Sequence, residues 1–225
     1  MKMRQVKLWS VIACSIFAVL SVASARATPL SDWSFENGID PLPSLGAVVG
    51  PPFSSGFWGA ERGGEVTAER GVTPFHLQHM LYMEDEGGVV TQAFQAVDVS
   101  SFATLIDSGG AVADLSAWVN TYLSGQIFWP ALFYFDGPNG WGSPINSTNW
   151  LYDVDPNAET WQLISATDPI PVGTRWIVVQ VGYRNAELPD NERAYVDAVE
   201  FNIIPEPATL TLLAAGLMAG LRRRR

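Results

Sequence analysis

Cysteine occurs once in these 225 residues, as Cys14, and lysine does not occur beyond Lys7. Cys14 lies inside an amino-terminal apolar run, so the chain that follows has no thiol, which excludes intramolecular disulfides and thiolate metal sites. Histidine is equally scarce. His76 and His79 are the two, spaced i and i+3 without the His-Glu-x-x-His of a helical zinc protease, and the pair reads as a turn feature. Gly-x-Ser-x-Gly and a Gly-rich phosphate loop are both missing. From Trp33 to Ile203 no amphipathic helix of useful length can be drawn. Positive charge is short as well: between Thr28 and Ile204 only Arg62, Arg70, Arg175, Arg184 and Arg193 stand against twenty-two acidic residues. Phosphate backbones attract proteins through Lys and Arg, so nucleic acid is not an expected partner. Calcium and neutral or cationic ligands fit this balance, as does plain solubility.

What is present begins with export signals. Lys2, Arg4 and Lys7 precede an apolar stretch from Leu8 to Ala23, and Ala25-Arg26-Ala27 forms an A-x-A cleavage site, the order of a secretory signal peptide over residues 1–27. A lipoprotein box at Val11-Ile12-Ala13-Cys14 fits only loosely, because the apolar region runs on past Cys14. At the other end, Pro205-Glu206-Pro207 leads into Ala208 to Leu221 and then Arg222, Arg223, Arg224 and Arg225. The two prolines keep the backbone extended and accessible. The fourteen residues from Ala208 to Leu221 give about 21 Å of helix against roughly 30 Å of hydrocarbon, a short and temporary anchor. Four arginines beyond it stay cytoplasmic under the positive-inside rule, leaving the preceding chain outside that membrane. The alternative for this tail is a core helix with a basic end.

The middle, residues 28–204, is long enough for one domain and reads as all-β. Short β-branched and aromatic runs alternate with Gly, Pro, Asn and Asp turns. Strands are expected near Trp33 to Glu36, Met80 to Glu84, Val89 to Val97, Val112 to Tyr122, Ile127 to Phe135, Trp161 to Ala166, Arg175 to Tyr183 and Arg193 to Ile203. Ile177, Val179, Val181 and Tyr183 share one face of their strand, and Ala113, Leu115, Ala117 and Val119 share one face of theirs, the period-2 pattern of a two-layer antiparallel sandwich. Eight such strands suit a jelly roll. Ile39 to Gly64 and Asp136 to Pro156 read as long loops.

The tail from Ile204 onward resembles the sorting signal of PEP-CTERM proteins. That resemblance implies a bacterium making exopolysaccharide and an exosortase-type membrane protease that processes residues 205–225. Trp33-Ser34-Phe35-Glu36-Asn37-Gly38 and Tyr195-Val196-Asp197-Ala198-Val199-Glu200-Phe201 resemble the terminal strands of galactose-binding-like jelly rolls, a fold shared by many carbohydrate-binding modules. The leading Asn-Gly of that pattern is missing here. Gln78 to Met83 and Leu115-Ser116-Ala117-Trp118-Val119 are similar in style to interior strands of that group. The resemblance implies a structural calcium ion held by Glu36 and Asp197.

The residues around Asp197 bear on it independently of that resemblance. Tyr195, Val199, Phe201 and Ile203 alternate on one core face, a regular strand puts Asp197 there too, and a buried carboxylate needs a partner. Calcium would be one. An arginine pair, a bulge turning Asp197 outward, and exposure at the sheet end are the alternatives. Sugar binding needs aromatic faces beside polar groups, and Trp58, Trp141 and Trp150 lie in the expected loops near Asp136, Asn139 and Asn149. Buried anchors for those loops are the competing role. Glu84, Asp85 and Glu86 read as a solvated turn, and no catalytic residue is assigned. The expected protein is exported, transiently anchored in the inner membrane and then held at the cell surface or in the extracellular matrix. There it is a non-enzymatic component associated with exopolysaccharide and biofilm. The alternatives are a passive matrix component that binds no sugar and a small glycosidase or lyase.

Overall fold

The computed structural model describes residues 30–41, 57–85, 90–137, 144–185 and 192–206. They build two facing sheets, the expected jelly-roll sandwich. The strands are β1 (Asp40–Pro41), β2 (Gly59–Ala60), β3 (Gly63–Val66), β4 (Met80–Asp85), β5 (Thr91–Asp98), β6 (Ala111–Asn120), β7 (Gln126–Phe135), β8 (Asn146–Asn149), β9 (Tyr152–Asp153), β10 (Gln162–Pro169), β11 (Trp176–Asn185) and β12 (Glu192–Pro205). A 3-10 turn, Ser100–Phe102, runs into a short helix, α1 (Ala103–Asp107). Sheet A has the order β1-β2-β5-β11-β7-β8, with β9 also on β7, and sheet B the order β10-β6-β12-β4-β3. All pairings are antiparallel except the two-residue β1–β2 pair.

The alternating residues of β6 and β11 fill the space between the sheets. Ala113, Leu115, Ala117 and Val119 meet Ile177, Val179, Val181 and Tyr183, together with Phe128, Leu132 and Tyr134 of β7. Each fully buried side chain of Leu or Phe size contributes about 1.5–3 kcal/mol. Gln95 points into this core and is satisfied there: it accepts the Ser31 N–H at 2.7 Å and donates to the Ser31 carbonyl at 2.8 Å, pinning the segment that enters the domain.

Three expectations change. Trp33 to Glu36 forms a turn, not a strand, because Asp32 accepts the N–H groups of Glu36 (2.7 Å) and Asn37 (3.0 Å) through its carboxylate and closes the chain on itself. The two expected loops contain short strands, β2 and β3 in the first and β8 and β9 in the second, each of four residues or fewer. The face of β12 is not continuous either. Its register on β6 shifts between Asp197 and Glu200, with Ala198 at φ 47°. Ala194 and Val196 therefore face the core before the bulge and Val199, Phe201 and Ile203 after it, while Tyr195 packs on the outer side with Val72 and Met80.

Candidate functional site

Asp197 precedes the bulge and is fully buried all the same, because the segment 75–79 lies over it. Its Oδ2 accepts the His76 N–H at 2.8 Å and its Oδ1 accepts the Ala198 N–H at 2.6 Å. Burial pushes the Asp197 carboxyl up to about 6, against the lowering effect of the His76, Ala198 and Phe75 N–H groups. Glu36 grips the other end of the same segment. Its Oε1 accepts the N–H groups of Gln78 (3.1 Å) and His79 (3.0 Å), and its Oε2 lies 3.0 Å from His79 Nδ1. Burial alone would raise the Glu36 pKa, but those three contacts with His79 and Gln78 outweigh it and hold the carboxyl below its usual range. Glu65 approaches the same imidazole nitrogen at 3.2 Å. Glu36 and Asp197, far apart in sequence, thus clamp one five-residue segment whose Leu77 sits at φ 55°. Among the described residues no three His, Cys, Asp or Glu side chains converge as a ready metal cage.

The aromatic candidates separate. Trp58 is 1% exposed, packed on Phe35 at 5.1 Å between ring centres, with its indole N–H donated to the Asp32 carbonyl at 3.1 Å. It is a core anchor with no face open to a sugar. Trp141 lies outside the described residues, as do Ala25, Ala27, Pro207, Arg222, Arg223, Arg224 and Arg225. Trp150 is half-buried at the end of β8, its N–H donated to the Pro130 carbonyl at 3.2 Å. With Phe133, Ser147, Thr148 and Asn149 it lines a cavity of about 400 Å³. The lining comes from both sides of the edge strand: Ser147 and Asn149, opposite Phe133 and Ala131, are on the outer face of sheet A, whereas Thr148 is on the inner side and Trp150 packs against the inter-sheet core. The inner side of β8 is fixed by Asp168 of β10, which accepts hydrogen bonds from the Tyr134 hydroxyl (2.8 Å) and the Thr148 hydroxyl (3.1 Å).

The outer face of sheet A continues from this cavity and was not legible as a site in the sequence. Phe94, Ala96, Phe135 and Val178 form a second apolar cluster there, flanked by Phe133 and Trp176. Next to it Trp129 lies flat over Gly182, so close that a Cβ on Gly182 would stand 2.0 Å from the indole. A chain of amides crosses the same strands: Gln180 Nε2 donates to Gln92 Oε1 at 2.8 Å, and Gln92 Nε2 reaches the Glu61 carboxylate at 3.3 Å. Gln180 is 2% exposed, and its Oε1 has no hydrogen-bond partner among the described residues. Burial raises the Glu61 pKa, against the lowering effect of Gln92. The signal available in the sequence was the break in alternation at Gln180 and Gly182, on a strand whose other face is uniformly apolar.

At its carboxyl end the chain matches the family described as PEP-CTERM protein-sorting motif, over residues 204–225. It is therefore an exported protein with a membrane-anchored, processed C-terminus. No curated protein sequence matches the chain. Solved structures of similar fold include TmCBM61 in complex with beta-1,4-galactotriose, with 15% identity, a TM-score of 0.46, and coverage of 74% of this chain and 99% of that one. The C-terminal family 22 carbohydrate binding module of Clostridium thermocellum Xyn10B shows 16% identity, a TM-score of 0.45, and coverage of 73% and 98%. A putative sugar binding protein from Bacteroides thetaiotaomicron shows 9% identity, a TM-score of 0.47, and coverage of 78% and 99%.

Proposed function

We propose that the exported domain is a non-enzymatic glycan-binding module that retains the protein in the exopolysaccharide of the cell surface or matrix after its tail is processed. The observation that carries this reading is the cavity at the edge of sheet A, where the rings of Trp150 and Phe133 stand beside Ser147, Thr148 and Asn149. Aromatic faces stack on sugar C–H surfaces while hydroxyl and amide groups bond the sugar hydroxyls. The amide row of Gln92 and Gln180 extends the same chemistry across the sheet. These groups orient a ligand without transferring a proton, which supports binding over turnover.

The test is retention in affinity gels cast with a panel of polysaccharides, including the exopolysaccharide of the host. Retention is expected for the native domain and its loss for Phe133→Ala with Trp150→Ala, at an unchanged fold by circular dichroism. If the native domain is retained by none of the panel, the passive matrix role replaces this reading. Turnover of any member would replace it with a glycosidase or lyase.

The same reading includes one structural calcium ion at Glu36 and Asp197. A carboxylate as buried as Asp197 is costly to keep charged at neutral pH, and a dication removes that cost. Calcium takes six to eight oxygens, so main-chain carbonyls and water would complete the set beside the two carboxylates. A ligand that binds only the folded state raises its melting temperature. Melting of chelated protein is expected to rise on adding millimolar calcium, and not in Asp197→Ala. Equal melting with and without calcium would remove the ion from the proposal.

A further inference from the structure

The sorting tripeptide does not hang from a linker. Pro205 is the last residue of β12 and sits opposite Ala111, where a residue of β12 needs no N–H toward β6. The next residue, Glu206, donates its N–H to the Gly110 carbonyl at 2.8 Å. Two of the three tripeptide residues are therefore part of the domain's edge. Ala208, the first residue of the apolar stretch, follows Glu206 by two positions, a reach of roughly 7 Å even when fully extended.

The end of the sandwich from which Glu206 leaves has a distinct chemistry. The neighbouring strands of sheet B meet there too: Pro169 pairs with Val112, and the Ile170 N–H donates to the Ala111 carbonyl at 2.9 Å. The two turns flanking the exit, residues 108–111 (Ser-Gly-Gly-Ala) and 170–174 (Ile-Pro-Val-Gly-Thr), carry no charged side chain, in a domain dense with carboxylates. Val172 stands at the tip of the second turn, 61% exposed. Asp107, between them, is neutralised by Arg175 at 2.7 Å. Asp98 and Asp136 lie at the same end but on the sheet A side, where β5 and β7 finish.

We propose that before processing this end of the sandwich rests on the membrane, with the turns 108–111 and 170–174 against the lipid headgroups and β12 as a rigid strut from the apolar stretch into the domain. The two uncharged turns approach that surface without stripping water from a charge, while Glu206 and the exposed Asp107–Arg175 pair stay hydrated at the rim. The short tether leaves the domain no other end to present.

The absence of cysteine after residue 14 makes the test direct. The full chain, exported in a host lacking the processing protease, is given a single cysteine as Val172→Cys or, as control, Ser124→Cys. Ser124 lies in the turn after β6, at the far end of a ten-residue strand, about 30 Å away. With a membrane-impermeant maleimide, Val172→Cys is expected to label severalfold more slowly than Ser124→Cys. A spacer of about twenty Gly and Ser residues after Ile204, with a reach of roughly 25 Å, is expected to restore its rate. Equal rates at both cysteines without the spacer would overturn the proposal. So would protection of Val172→Cys that appears only when the protease is present, since the surface would then fit an enzyme and not lipid.

Discussion

The outer faces of the two sheets put similar residues to opposite uses. On sheet B the polar groups close on each other: Arg193 donates to Glu84 at 2.7 Å and to Glu69 at 2.8 Å, lies 4.0 Å from the centre of the Tyr82 ring, and Glu69 also accepts the Tyr195 hydroxyl at 3.1 Å. Phe75 stacks on Trp118 at 4.2 Å, and the carboxylates of Glu36 and Asp197 are occupied by the main chain of 75–79. Buried acceptors without a hydrogen-bond partner among the described residues occur on both faces, Gln180 Oε1 on sheet A and Asn120 Oδ1 and Asn202 Oδ1 on sheet B, but on sheet A the amides share their face with the rings of Trp129 and Phe133 on the paired strand β7. A face whose polar groups satisfy one another stabilises the fold. A face that sets amides beside aromatic carbon suits a ligand that uses both.

The largest expected effect falls on Gly182→Val. The new side chain occupies the space of the Trp129 indole, so the ring must leave; a loss of about 3 kcal/mol in denaturant unfolding and loss of glycan retention are expected together. Retention unchanged in this variant would separate Trp129 from the binding face.

Acid titration of the chelated protein comes next and probes sheet B. The folded-state pKa of Asp197, about 6, lies above the usual carboxylate value, so the folded state binds more protons than the unfolded one between about pH 4 and pH 6. Stability from this group falls as pH rises through that window, by up to about 3 kcal/mol, and Asp197→Asn flattens the dependence. Calcium should reverse the sign, since it binds the ionised form.

Arg193→Ala is expected to cost about 2 kcal/mol, because Glu69 and Glu84 lose a shared, partly buried partner, while glycan retention stays intact. Loss of retention here would mean that the two faces are not independent. The smallest effect on melting belongs to Trp150→Ala, about 1 kcal/mol for a half-buried ring at an edge strand, measured by calorimetry beside a large loss of retention.

How much of this could be read beforehand follows from strand length and from locality. β6 and β11 announce themselves because ten residues hold five periods of alternation, and β7 because it is an almost unbroken apolar run. β1, β2 and β9 are two residues each, a single period that cannot repeat. The bulge at Ala198 was open as one alternative for Asp197, but nothing local to β12 decides it: the residues that enclose Asp197 come from 75–79, more than a hundred positions earlier. Trp58 and Trp150 look alike in sequence, each in a Gly- and Ser-rich stretch. One meets Phe35 across the core, while the other ends an edge strand, and only the pairing of distant strands distinguishes them.

The place of β12 in its sheet has a consequence for the order of assembly. It lies between β6 and β4, yet it is the last strand among the described residues and leads directly into the sorting motif. A chain exported from its amino terminus delivers the two neighbours first and leaves the gap between them open. Sheet B closes only as the motif itself arrives at the membrane, so completion of the fold and presentation of the motif become a single event in time.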